Sequence, residues 1–480
     1  MRYSKWALRL AILLLAAIGF AQKPEPPDPP PLGKVDFPAY ETRTLANGLT
    51  VYALEHREQP VVSIRLLIGA GAANDPAGLP GVASFTAGLL RQGTAARTAT
   101  QLAETIDQTG GSIEVSADME STTIAAGFLK EHAGLALELM ADMIRNPAFD
   151  EKEIERLRQQ SLSGLSAQME EPDFIADAVL EAVLYGAHPY GRLESGTLRS
   201  IPLIGRKEIV SFHQNHYAPN ISVLAIVGDL SSKEIFELAE RHFAGWQRKQ
   251  VPAPANPPFP KTNGRRVVAV DRPGSVQTEI RVGQRIVPRK DPDYFKFLLA
   301  NLVLGGSAEA RLNQKLRVEK GLTYGAFSSI GPRKGPSSFY AVTETRTEKT
   351  AEAVNLVLEE FNRLRLSEPT PPELTEAKTL IIGGFPLTIE LPSDLGTRLT
   401  TVFLYDLGPD YLKTYRDRIA AVTAADVLRV SKERLSAQDA PIVLVGDVGA
   451  FKASIEKLGK VEVIPAAKLD LESPTLVSKD

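Results

Sequence analysis

The chain has 480 residues, 43% of them hydrophobic and 24% charged, with a formal net charge of -3. That length and balance allow two or three domains with sizeable cores, and they exclude the basic excess expected of a nucleic-acid or anionic-membrane binder. With no cysteine anywhere, disulfides, thiol catalysis and Cys-type zinc sites are excluded too.

At the N-terminus Arg2, Lys5 and Arg9 lead into the apolar run 10–20, with small residues at Gly19 and Ala21. This pattern predicts a signal peptide over 1–21, cleaved after Ala21, and export to a bacterial periplasm or beyond, where a disulfide-free chain fits the periplasm better. The run is short for a bilayer span, so no stable membrane span is expected after cleavage. A proline-rich linker follows over 22–34. The first domain, 35–250, opens with an Asn47-Gly48 hairpin turn before a strand at 49–54 and a second strand at 61–68. Helices are expected at 81–91 and 98–109, the latter opened by a Thr98-x-x-Gln101 capping box and closed by Gly110-Gly111. Strands at 112–117 and 122–128 alternate, with Ile113, Val115 and Ala117 on one face, and helices at 131–145 and 150–169 come next. The prolines of 251–264 predict an extended, semi-rigid interdomain linker.

The second domain, 265–465, repeats the order. Strands are expected at 266–270 and 278–286, helices at 292–303 and 307–320, strands at 323–329 and 338–345, and helices at 349–364 and 372–380. Pattern beyond 451 is weak, and 466–480 is left as a tail. Landmarks recur in register: Val-Gly-Asp starts at 227 and 445, Leu-Tyr at 184 and 404, and Asp-Pro at 75 and 291. Offsets of 218, 220 and 216 residues describe a diverged internal duplication of an α+β unit.

Five segments in order, NGLTVYALEH at 47–56, NDPAGLPGVA at 74–83, LYGAHPYGR at 184–192, ARLNQKLRVEKGLTYG at 310–325 and AAVTAADVLRV at 420–430, give the chain a resemblance to the M16 (insulinase/pitrilysin-like) peptidases. The resemblance spans nearly the whole mature chain. It implies two homologous α/β sandwich domains of the M16/LuxS-like metalloenzyme fold, together half of a clamshell that closes around an unfolded peptide. In that family one helix reads approximately G-x-A-H-x-x-E-H-x-x-x-x-G-T, its histidines holding zinc and its glutamate activating a water. The corresponding residues here are Ser84, Ala87 and Gly88. A hydroxyl, a methyl and a hydrogen supply neither ligands nor a base. The family's third ligand, a glutamate on the next long helix, has no carboxylate counterpart in the stretch Gln159–Leu165, and Glu170 and Glu171 read as solvated charges.

No metal or other cofactor is therefore expected in this chain, and zinc is expected in a partner. Phe128–His132, FLKEH, keeps only the Glu-His end of a zinc motif, and His213 and His216 form a pair without a third ligand. His56, His132, His188 and His242 stand alone in the sequence. What the second domain keeps are Arg317 and Tyr324, matching the family's arginine and tyrosine brought to the cleft from its non-zinc side. A tyrosine hydroxyl is one neutral donor and an arginine a planar fork, both suited to a peptide carbonyl turning into an oxyanion. The resemblance implies an exported non-catalytic subunit pairing as a heterodimer with an H-x-x-E-H-bearing homologue to bind and help cleave unfolded peptides. A peptide-binding scaffold without a peptidase partner, and a lone enzyme with an unrecognised site, remain as alternatives.

Overall fold

The computed structural model describes residues 33, 35–253, 256–261 and 264–478. The signal peptide expected over 1–21 and all but Gly33 of the linker at 22–34 lie outside the described residues. Among the described residues no helix is long and apolar enough to cross a membrane.

The Asn47-Gly48 turn works as its residue types require. Gly48 takes a φ of +92° and donates to the Leu45 carbonyl at 2.8 Å, and a Cβ there would meet Asn220 at 2.9 Å. The turn joins β1 (Glu41–Thr44) to β2 (Thr50–Glu55) in an antiparallel hairpin. With β3 (Val61–Ile68), β4 (Ser112–Ala117), β5 (Thr122–Leu129) and β6 (Ser222–Gly228) these form a six-stranded sheet ordered β1-β2-β6-β3-β5-β4. The second half builds β7 (Val267–Asp271), β8 (Gln277–Pro288), β9 (Ala326–Gly331), β10 (Pro336–Arg346), β11 (Ile442–Gly446) and β12 (Val461–Pro465), ordered β12-β7-β11-β8-β10-β9. Inner strands correspond one to one, and the Val-Gly-Asp landmarks run off the ends of the equivalent strands β6 and β11. The outermost place is filled differently. β1 precedes its repeat and runs antiparallel to β2, whereas β12 follows its repeat and runs parallel to β7.

Both β6 and β11 are buried along their whole length, as a strand covered on two faces must be. One face of each sheet carries helices of its own half. The other is covered reciprocally: the Pro172–Tyr185 helix of the first half packs on β8 and β11, and the Pro392–Leu404 helix of the second half packs on β3 and β6. Ile175, Val179, Leu180 and Val183 join Val268, Val270, Val443 and Val445 in one buried cluster. The Leu-Tyr landmarks close these two exchanged helices. Tyr185 donates to the Pro336 carbonyl at 2.9 Å, at the start of β10, and Tyr405 to that of Pro332 at 3.4 Å, in the turn just before it. The described residues from 36 onward accordingly form one compact unit.

Most expected elements are present within a few residues, including the Thr98–Gln101 capping box. The helix expected over 307–320 is a correction: Arg311–Asn313 is α-helical and Gln314–Glu319 is a π-helix, because an extra residue is accommodated per turn before Gly321 ends it at φ +60°. The strand expected from 323 begins at Ala326, so Tyr324 lies in the loop before it. Beyond 451, the Val448–Ile455 helix and β12 are followed by an ordered segment in which Leu476 is buried and Glu472 bonds Thr197 and Arg199.

Candidate functional site

The Val82–Leu89 helix starts at Gly81, whose φ of +102° turns the chain into it, and Asp75 holds that start. The buried Asp75 carboxylate accepts from the Gly81 and Ala83 amides, both at 2.7 Å. Burial outweighs these bonds and pushes its pKa up to about 7. On the helix Ser84 Oγ donates to the Glu194 carbonyl at 2.6 Å, Ala87 is 1% exposed, and a Cβ at Gly88 would stand 3.2 Å from Leu157 Cδ2 on the Glu151–Gln168 helix. These side chains do not fit a zinc ion: one hydroxyl is committed to a carbonyl, one position is a packed methyl, and the third is filled by leucine. Among the described residues no three His, Asp or Glu side chains group to hold a metal. Gln159 and Gln160 are exposed on the neighbouring helix.

Beside this helix, charged groups from both halves converge. Tyr190 donates to the buried carboxylate of Glu120, which also accepts from the Lys334 amide at 2.8 Å, while the Gly335 amide donates to Tyr190 Oη at 3.2 Å. Arg333 lies 3.8 Å from Glu181 and 5.6 Å over the Tyr190 ring, and its Nε is buried without a hydrogen-bond partner. Glu181, Glu194, Arg192 and Arg333 line a cavity of about 330 Å3 with Met119, Phe174 and Tyr190. Burial raises the pKa of Glu120, Glu181 and Glu194. Sequence reading missed this constellation. Its only local signals were the Asp-Pro landmark and the HPYG segment, since Glu120, Tyr190 and Lys334 are far apart in the chain.

His188 in that segment is a packed residue: it is 2% exposed, lies 4.3 Å from the Phe259 ring, and burial lowers its pKa to about 4. His213 is likewise structural. It bonds the Ile144 carbonyl at 2.7 Å, and burial lowers its pKa to about 4.

Arg317 and Tyr324 share one surface segment of the second half. Thr345 Oγ1 bonds the Leu322 carbonyl at 2.8 Å and Thr343 Oγ1 that of Gly325 at 3.0 Å, fixing the loop that presents Tyr324, 83% exposed. Arg311 anchors the other end through a bidentate pair with Glu373 at 2.6 and 2.9 Å. Against the upward push of burial, Arg311 holds Glu373 down to about 2. The π-turn exposes Arg317 and Val318 together, and Phe327 on β9 adds apolar surface. No described protein group bonds the Arg317 guanidinium or the Tyr324 hydroxyl, and no hydrogen bond or ion pair joins either to the Val82–Leu89 helix. The molecule thus brings Ser84, Ala87 and Gly88 together on one helix and Arg317 with Tyr324 on another surface.

Residues 51–197 match the family description "Insulinase (Peptidase family M16)" and residues 204–381 match "Peptidase M16 inactive domain". An uncharacterized zinc protease of Mycobacterium leprae is 27% identical over 359 residues, covering 74% of this chain and 80% of the relative. The crystal structure of a peptidase M16 inactive domain from Pseudomonas fluorescens superposes with a TM-score of 0.79 at 28% identity, covering 85% of this chain and 98% of that one. A protease from Helicobacter pylori shares the fold, with a TM-score of 0.79 at 23% identity over 85% of this chain and 100% of that one.

Proposed function

Because the chain belongs to the M16 peptidase family as an inactive-type zinc-protease homologue, we propose that it is an exported, non-catalytic subunit that completes the peptide site of a zinc-bearing homologue. The observation that carries this reading is the contrast within one molecule. Where the family's zinc helix stands, Ser84, Ala87 and Gly88 are absorbed into packing; on the other half Arg317 and Tyr324 are held out to solvent with no hydrogen-bond or ion-pair partner among the described residues.

Catalysis would then be divided. The partner supplies the metal and base, and this chain supplies donors. A peptide carbonyl under attack gathers negative charge on oxygen, and one donor aimed at that oxygen is worth about 2.7–4 kcal/mol. The Tyr324 hydroxyl serves as that donor, and the Arg317 fork grips backbone carbonyls of the same peptide. The test is co-expression with an H-x-x-E-H-bearing homologue and steady-state kinetics on a quenched peptide. The pair should co-elute and cleave, and Tyr324→Phe should lower kcat more than it raises KM, whereas Arg317→Ala should impair both. Unchanged kinetics in both variants would refute the assigned roles, and one tightly held equivalent of zinc in the isolated chain with chelator-sensitive cleavage would refute the non-catalytic reading.

A further inference from the structure

A cleft of about 570 Å3 opens on the far side of the Pro172–Tyr185 helix, where its last turn meets β8, the start of β7 and the end of the Ala424–Arg434 helix. Arg265, Arg266, Arg285, Arg434 and Lys460 line it, and the acids there are Asp439 and Glu462. This basic concentration sits in a chain of net charge -3.

The acids offset it only in part. Glu462 is taken by Arg266, at 3.0 Å from Nε and 2.9 Å from Nη2. Asp439 accepts from Ser436 Oγ at 2.8 Å and keeps its charge, which acts on Arg265. Arg265 bonds only carbonyls, those of Leu458 at 3.2 Å and Ala437 at 2.5 Å, and its Nε is buried without a partner. Arg285 also bonds only carbonyls, of Leu184 and of Pro260, while lying 5.6 Å over the Phe259 ring. A carbonyl fixes a guanidinium without cancelling its charge, and burial lowers the pKa of both arginines. At the rim Arg434 and Lys460 are exposed and make no ion pair among the described residues.

We propose that this cleft binds a small polyvalent anion of the phosphate class. Two guanidiniums are already oriented by carbonyls and need no reordering on binding, and two exposed cations at the mouth can close on further charges. The cations converge on a concavity instead of spreading along a face, which fits a compact oligophosphate better than a polymer. The inference stands on other residues than Arg317 and Tyr324 and is independent of the subunit reading.

The probe is inorganic tripolyphosphate, titrated calorimetrically into the chain with chloride adjusted to constant ionic strength. Saturable binding near one equivalent is expected. The double variant Arg434→Glu, Lys460→Glu, both exposed positions, should fold as wild type by circular dichroism and bind at least tenfold more weakly. A control reversal at two exposed cations elsewhere, Lys207→Glu with Arg241→Glu, should stay within twofold. Absence of saturable heat in the wild type, or equal loss in both double variants, would overturn the proposal in favour of an ordinary solvated basic patch.

Discussion

In the first half Asp75 of the Asp-Pro landmark is buried and caps the Val82–Leu89 helix with both oxygens; in the second half Asp291 is half-buried and its side chain accepts from the Asp293 amide at 2.8 Å. The Val-Gly-Asp landmark differs in the same graded way. A Cβ on Gly228 would stand 2.2 Å from the Val61 carbonyl oxygen, at a φ of +153°, whereas on Gly446 it would meet Thr278 Oγ1 at 2.8 Å. Strand order and strand-end glycines recur in both halves because close packing between neighbouring strands dictates them. Positions whose identity matters to chemistry do not recur. Duplicated architecture therefore says where a site could stand, and only the residues standing there say whether it works.

The comparison is most easily broken at the glycines. Gly228→Ala should cost about 3–5 kcal/mol, combining backbone overlap with a strained φ, and Gly446→Ala about 1–2 kcal/mol, both read from denaturant midpoints. Equal costs would mean that the two strand ends are not under different constraint. Next comes the attempt to make the first half catalytic. Ser84→His, Ala87→Glu with Gly88→His should lose about 3 kcal/mol, since a carboxylate replaces a packed methyl and an imidazole drives into Leu157. Elemental analysis should find no stoichiometric zinc in it, for the stretch 159–165 of the neighbouring helix holds no carboxylate; a zinc-loaded, active variant would show that a ligand had been overlooked.

Asp75 sharpens the contrast through pH. Its folded carboxyl titrates near 7 and its unfolded one near 3.9, so between those values the folded state holds the extra proton. Its contribution is fully present below about pH 4 and is lost as pH rises through about 7, by about 4 kcal/mol. Asp75→Asn should flatten that part of the stability–pH curve. An unchanged slope would place the titration elsewhere. The smallest effect is expected at the exposed pair: Arg317→Ala and Tyr324→Phe should each shift stability by less than about 0.5 kcal/mol. A larger loss would mark them as structural and weaken their assignment to a peptide.

The strands and the Thr98 cap were legible because alternation and local hydrogen bonding leave sequence signatures. The Pro172–Tyr185 helix was not anticipated: its nearly all-round apolarity, which reflects a sheet from the other half, leaves no clear 3.6-residue alternation, although the proline at its first turn is a helix-start signal. β1, ETRT, is exposed throughout and carries no apolar rhythm. The π-turn is invisible to a 3.6-residue template, which is why a continuous helix was expected through 320. Of the candidate site, Ser84, Ala87 and Gly88 were singled out only because the family resemblance supplies the zinc-helix pattern from which they depart. The Glu120–Tyr190–Lys334 convergence was not singled out, since it is made by folding distant segments together.

The reciprocal placement of the Pro172–Tyr185 and Pro392–Leu404 helices has a mechanical consequence. Each half lends the other the layer that closes its core, so neither is a self-sufficient folding unit, and hinge-like parting of the halves would open two apolar faces to water at once. Covalent continuity between the halves then sets a high effective concentration, while the exchanged helices hold the assembly. A single proteolytic nick within 251–264 should leave two fragments that co-migrate under native conditions and separate only in denaturant.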